Sequence, residues 1–210
     1  MKTQILRMPQ FKSQAWKNGG GSTTELLKFP DNDDYDLRLS IATVERSGPF
    51  SQFQGYQRTI IQLEGEPMKL HHPDLNQSKA LELLSPYSFD GGWVTDCDVT
   101  TTARDFNVIH KKSITAIATG VELLPPGAKK IIPVTNSPVF LFCVNGAIRL
   151  VSEVESDQVA LSANELCFVD RNEKIEQIAI STGHEGATLI LISRFREIKS
   201  VGRFLFRESD

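Results

Sequence analysis

The chain is poor in the residues on which most enzyme chemistry depends. It has four histidines, His71, His72, His110 and His184, and three cysteines, Cys97, Cys143 and Cys167. The cysteines are odd in number, widely spaced and without a C-x-x-C pair, which argues against a disulfide framework and fits reduced thiols. No H-x-H or H-E-x-x-H spacing occurs. His71 and His72 are adjacent, so on a strand they point to opposite faces and cannot share one ion. No metal and no cofactor are therefore expected. A G-x-S-x-G elbow, a P-loop and a G-x-G-x-x-G fingerprint are all missing as well. With a net charge of −3 and no basic run longer than two residues, nucleic acid is not an expected partner. Long apolar runs are lacking too. No window approaches a membrane span, and "MKTQILRMPQFK" lacks a signal-peptide core, so the expectation is a cytoplasmic protein with no membrane partner.

What is present is an ordinary globular balance, 40% hydrophobic and 23% charged residues over a length that fits one large domain or two compact ones. Short apolar runs bounded by turn residues recur. Residues 36–44, 58–65, 67–72, 79–84, 113–124, 139–146, 147–154, 158–162, 165–170, 174–181 and 187–195 all read as strands, and no helix is predicted. The order of signals also repeats. "RTIIQLEGEPMKLHH…KALELLSPYSFDGG" parallels "VFLFCVNGAIRLVSEV…QVALSANELCFVDRN", each with a strand ending in glycine, Gly65 or Gly146, then a hairpin and an aromatic strand. The period exceeds that of a solenoid. Two copies of one β-barrel module are predicted, over 1–112 and 113–210, with strands free to be exchanged between them.

Several polar positions stand out. Gly19, Gly20 and Gly21 follow Trp16-Lys17-Asn18; such a run is either an ordinary tight turn or a nest of N–H groups for an anion. In "DLRLSIATV", Arg38 shares a strand face with Ser40 and Ala42; in "YQRTIIQL", Arg58 shares one with Ile60 and Gln62. Each arginine is either a fork for a carboxylate or the partner of a surface acid. Phe50 and Phe53 sit in the turn "SGPFSQFQG", and Asp105 and Asn107 flank Phe106 as residue types common in turns.

Taken together, "WKNGGGSTTEL", "LRLSIATVERSGPFSQFQGYQR" and "RDFNVIHKK", with "YSFDGGWVTD" between the last two, closely resemble the HutD/Ves family of bacterial bicupins. The C-terminal third is similar through its strand rhythm and "ELLPPGA". The family pattern differs at Leu37, at Ile109-His110 and at Gly92. The resemblance implies an all-β bicupin, two β-barrel (cupin or jelly-roll) modules without the ligands of metal cupins. It also implies links to histidine utilisation, with formylated or formiminated glutamate as candidate ligands, or to environmental stress.

On that basis the expected site is a polar pocket in the N-terminal barrel that takes a small carboxylate metabolite. Arg58 anchors the carboxylate and Asn18 bonds an amide or formyl oxygen. Ser51 and Asn107 complete the polar lining, and the pocket is walled by the Trp16–Gly21 loop with Gly19 and Gly20, by the Gly48–Phe53 turn and by the Asp105–Asn107 segment with Asp105. Trp16 and Phe50 form apolar walls, while Arg38 is a second anchor or the partner of Asp105. The rival reading is a metal-independent enzyme, for which Asp105 and His72 are the catalytic candidates. A third is a protein–protein module, and a homodimer is compatible with any of these.

Overall fold

The computed structural model describes residues 3–7, 10–114, 117–134, 139–152, 158–169 and 177–193. Contacts divide the chain into two compact units, Phe11–Ser113 and, separately, Ile114–Asp210 joined by Met1–Gln10. Strand β1 (Thr3–Leu6) is the reason the N-terminal residues join the second unit.

In the first unit the strands are β2 (Lys12–Ala15), β3 (Gly21–Phe29), β4 (Leu37–Val44), β5 (Gly48–Pro49) and β6 (Tyr56–Glu64). They continue as β7 (Lys69–His72), β8 (Gln77–Ala80), β9 (Pro86–Asp90), β10 (Asp96–Asp98) and β11 (Ala103–Lys111). A six-stranded sheet, β2-β3-β4-β11-β6-β9, faces a four-stranded sheet, β5-β10-β7-β8. Between them lie Ala42, Val44, Ile60, Met68, Leu70, Leu81, Phe89, Cys97 and Ala103. The one described helical element is a 3-10 turn at Pro73–Leu75.

The second unit repeats this plan. Its strands are β12 (Ala118–Leu124), β13 (Lys129–Pro133), β14 (Val139–Asn145), β15 (Ala147–Ser152), β16 (Gln158–Ser162), β17 (Leu166–Val169), β18 (Gln177–Thr182) and β19 (Ala187–Ser193). The orders β12-β19-β14-β17 and β13-β18-β15-β16 match β4-β11-β6-β9 and β5-β10-β7-β8 strand for strand, with β1 added beside β17. The repeated glycines mark equivalent turns. Gly65 has φ +93°, and a Cβ there would meet the Thr102 carbonyl at 2.6 Å and Ala103 Cα at 2.8 Å. Gly146 has φ +71° and would meet the Gly186 carbonyl and, at 3.0 Å, Ala187 Cα. In both units only glycine lets this turn lie against the start of the last strand.

Two predicted elements differ. Residues 79–84 are not one strand: β8 ends at Ala80, and Leu84, at φ +59°, turns the chain while its N–H donates to the Gln62 carbonyl. "ARDFNVIHK", which is not among the strands read from the sequence, is the nine-residue strand β11, hydrogen-bonded to both β4 and β6. Asp105 and Asn107 therefore face the barrel interior. Predicted strand residues 115–116, 153–154, 170, 174–176 and 194–195 fall outside the described residues.

All three cysteines are buried. Burial pushes the Cys97 thiol up to about 12, Cys143 to about 11 and Cys167 to about 12. Thiolate is the reactive form, so the native protein is expected to resist an aromatic disulfide reagent at pH 8 and to react at all its cysteines once unfolded.

Candidate ligand-binding site

A cavity of about 450 Å³ opens in the first unit. Its walls are the end of β2 and the loop after it (Gln14, Ala15, Trp16, Lys17, Asn18), the end of β5 and the turn after it (Pro49, Phe50, Ser51, Phe53), and the inward residues of four strands: Thr23, then Arg38, Ser40 and Ala42, then Arg58, then Asn107 and Ile109. The strand pleat puts Arg38, Ser40 and Ala42 on this face and leaves Leu37 and Leu39, both fully buried, on the other. Leu37 therefore serves packing, away from the cavity.

Arg58 is the centre of the site. It is only 6% exposed. Its Nε donates to Asn107 Oδ1 at 2.9 Å, and Asn107 Nδ2 donates to Asp105 Oδ1 at 2.6 Å. The guanidinium carbon lies 4.7 Å from the centroid of the Phe50 ring and 5.7 Å from that of Phe89. A planar cation between aromatic faces is held by cation–π attraction as well as by its hydrogen bond. Its two Nη groups make no hydrogen bond to any described residue. Burial lowers the pKa of Arg58 and the Asp105 charge opposes that shift. An arginine remains charged under such conditions.

Asp105 does not line the cavity. It is fully buried behind Asn107, and its Oδ2 has no hydrogen-bond partner. Burial pushes its carboxyl up to about 6, against the opposing effects of Arg58 and Asn107. The folded protein therefore holds a proton on Asp105 between about pH 4 and 6 that the unfolded chain has already released. Its contribution to stability is present below this window and is lost as pH rises through it, on the order of 1–3 kcal/mol. Denaturant unfolding at pH 4.5 and 6.5 should show this fall in the wild type relative to Asp105→Asn, which cannot titrate.

Arg38 lines the cavity but does not pair with Asp105. Its Nε donates to Glu25 Oε2 at 2.8 Å, each side chain about one-fifth exposed. Sequence reading missed Glu25 because "GSTTELLKF" has too many polar residues to announce itself as β3. Gln62, on the Arg58 face, is also occupied: its Nε2 reaches the Glu64, Gly65 and Glu66 carbonyls and its Oε1 accepts from Met68 N–H. It clamps the Gly65 turn.

The glycine run closes the β2–β3 hairpin. Gly19 N–H donates to the Trp16 carbonyl and Gly20 N–H to Asn18 Oδ1, so these two groups are used within the loop, and neither residue lines the cavity. A Cβ on Gly21 would collide with the Thr43 carbonyl and come within 3.2 Å of the Trp16 ring. What the glycine backbone approaches closely is β4 and the tryptophan. Trp16, fixed by Nε1 donating to Thr23 Oγ1 at 2.8 Å, meets Phe50 edge-on at 6.2 Å. Asn18 keeps its Nδ2 donors, and Ser51 stands exposed in the lining.

His72 lies elsewhere in the interior. It is 1% exposed, with Nδ1 at 3.1 Å from Thr95 Oγ1 and Nε2 at 3.2 Å from Tyr87 Oη, and burial lowers its pKa. His71 points the other way, to Ser78 and Asp98. Neither histidine lines the cavity.

The second unit supplies an internal comparison. Counting back from the paired glycines, Gln62 and Arg58 correspond to Cys143 and Val139. Counting on from Ala103 and Ala187, Asp105 and Asn107 correspond to Leu189 and Leu191. Val139, Cys143 and Leu189 belong to an apolar core with Leu191 packed on it. The polar interior is thus a property of the first barrel.

A family model described as HutD matches residues 8–189. The chain belongs to the HutD family. An uncharacterised 21.2 kDa protein of the hutC 3′ region of Pseudomonas putida is 40% identical over 110 residues, 51% of this chain and 57% of that one. Protein Ves of Escherichia fergusonii is 33% identical over 99 residues, 46% of this chain and 51% of that one. The chain thus spans about half the length of these relatives.

Among solved structures, a conserved protein of unknown function from Pseudomonas aeruginosa PAO1 superposes with a TM-score of 0.81 at 28% identity, covering 92% of this chain and 98% of that one. HutD from Pseudomonas fluorescens SBW25, in a formate condition, gives 0.71 at 26% identity, covering 91% and 98%. The Bacillus subtilis oxalate decarboxylase gives 0.69 at 9% identity, covering 91% and 76%, a likeness of fold alone. The HutD-family chain is an all-β bicupin.

Mn(II) centres belong to that decarboxylase. The HutD-type cavity does not suit such an ion, because its lining offers a buried guanidinium and amides in place of imidazoles and carboxylates. Among the described residues no group of three or more His, Cys, Asp or Glu is placed to hold a metal. No described helix is long and apolar enough to cross a membrane.

Proposed function

We propose that the first barrel is a metabolite-binding site that takes a small carboxylate of the formyl- or formimino-glutamate kind, and that the protein acts through this binding in histidine utilisation or a stress response. One observation carries the reading: a 6% exposed arginine, locked at Nε by Asn107, lines the cavity with both Nη groups unbonded to any described residue. Two parallel N–H donors at fixed spacing match the two oxygens of a carboxylate. The amide of Asn18 and the hydroxyl of Ser51 suit the polar remainder of such a ligand, and Trp16 and Phe50 its carbon skeleton. The names of the Pseudomonas relatives, and the formate condition of one of them, support this ligand class. Binding is favoured over turnover because, among the described residues, the lining holds no Asp, Glu or His within reach of a bound molecule.

The test is a thermal-shift series with N-formylglutamate, formiminoglutamate, urocanate, histidine, formate, glutamate and divalent metals. A ligand at about 100 times its Kd adds roughly 2.7 kcal/mol of stability. Stabilisation by a glutamate derivative, lost in Arg58→Ala, is expected. A flat response to every acid, or one that Arg58→Ala leaves intact, overturns the reading.

A further inference from the structure

Among the described residues, Arg58 is the one buried arginine or lysine and Asp105 the one buried carboxylate. They are joined through a single amide: Asp105 Oδ1 accepts from Asn107 Nδ2, and Asn107 Oδ1 accepts from Arg58 Nε. The closed interior therefore holds one positive and one negative charge. The other groups acting on this pair do not change that balance. Cys97 on β10 is a neutral thiol, and Tyr35, before β4, is a neutral phenol pushed up to about 12 by burial. Arg38 on β4 is neutralised by Glu25 on β3.

We propose that an anion binding at Arg58 is accompanied by uptake of one proton at Asp105. This rests on the carboxylate-binding reading above and adds its regulation by pH. An arriving carboxylate places a second negative charge beside one buried cation, in surroundings where a surplus charge is costly. The structure contains a place to remove it. Asp105 Oδ2 is fully buried and unbonded, so a proton from solvent can form an O–H bond there without disturbing Oδ1. The Asp105–Asn107–Arg58 chain then stays intact, and Arg58 keeps its orientation while its counter-ion changes from Asp105 to the ligand. The raised affinity of Asp105 for a proton, caused mainly by burial, agrees with this. The Asn107 side chain is the insulator: it holds Asp105 away from the guanidinium, leaving the Nη groups to the ligand. Asp105 is thus a positioning residue.

By linkage, affinity for the anion falls as pH rises above the free value of Asp105, by up to about tenfold per pH unit while the bound form remains protonated. Formate and N-formyl-L-glutamate serve as probes, since their carboxylates are ionised throughout pH 6–8. Calorimetric titration in phosphate and in Tris at pH 7 is expected to give different apparent enthalpies for the wild type, corresponding to proton uptake. The same titrations on Asp105→Asn, which retains an acceptor for Asn107 but cannot ionise, are expected to agree between buffers. That variant should bind at least as tightly as the wild type at pH 8, an outcome that a merely structural role would not produce. Binding with buffer-independent enthalpy in the wild type overturns the proton linkage and leaves the site standing. Absence of binding by both probes overturns site and linkage together.

Discussion

Arg58→Ala is expected to weaken binding of the carboxylate ligand by roughly 30-fold to several-thousand-fold, corresponding to the 2–5 kcal/mol lost when one member of a desolvated charge pair is removed. The size follows from burial: at 6% exposure the guanidinium meets its ligand with little competing water. The variant should still fold. Removing Arg58 leaves Asp105 without its counter-charge, but a carboxyl already pushed up to about 6 takes up a proton instead of remaining a lone buried anion. Near pH 6 the stability loss should therefore be smaller than at pH 8. Arg58→Lys separates charge from geometry, because lysine restores the cation without the fork and without the Nε bond to Asn107. Affinity between those of the wild type and Arg58→Ala is the expected result; full recovery would mean that the bidentate fit contributes nothing.

The second large effect falls on stability. Gly21→Ala places a methyl group against the Thr43 carbonyl and within 3.2 Å of the Trp16 ring. Neither neighbour yields easily: Thr43 is in the ladder that joins β4 to β3 and β11, and Trp16 is bonded to Thr23. Destabilisation of about 3 kcal/mol is expected, a fall in Tm of roughly 6–12 °C for a chain of this size. Gly48→Ala is the control, since nothing lies within 4 Å of a Cβ there, and it should be nearly neutral. Calorimetric scans of the two variants check the contrast. Gly21→Ala should also weaken ligand binding, because the displaced Trp16 is a wall of the cavity.

The strand rhythm was legible because the second unit writes it in apolar residues: Val139, Leu141, Cys143 and Leu189 face one core and announce their period. Arg58 and Arg38 were legible as inward residues from the alternation of their strands. β11 was not, since Asp105 and Asn107 are turn formers by type, and the alternation in "RDFNVIH" carries its polar residues inward. Phe106 and Val108, fully buried on the other face, are the signal that this segment is a strand with two covered sides. Glu25 is hidden by the polar composition of β3, and so its pairing with Arg38 is not among the roles the sequence suggests for that arginine. The glycine run illustrates the remaining limit. Its composition suits a nest and a tight hairpin equally, and only the positions of the Trp16 carbonyl and Asn18 Oδ1 show where its N–H groups go.

The central claim is that a carboxylate seats on the guanidinium of Arg58, and the most direct measurement is the nitrogen NMR signal of that side chain. With arginine side chains labelled and the Arg58 resonances assigned by their loss in Arg58→Lys, N-formyl-L-glutamate is titrated at pH 6.5. The account predicts that the Arg58 Nε and Nη signals shift saturably, with the Kd found by calorimetry, while those of Arg38 move less. Saturable binding by calorimetry with the Arg58 signals unmoved would contradict it.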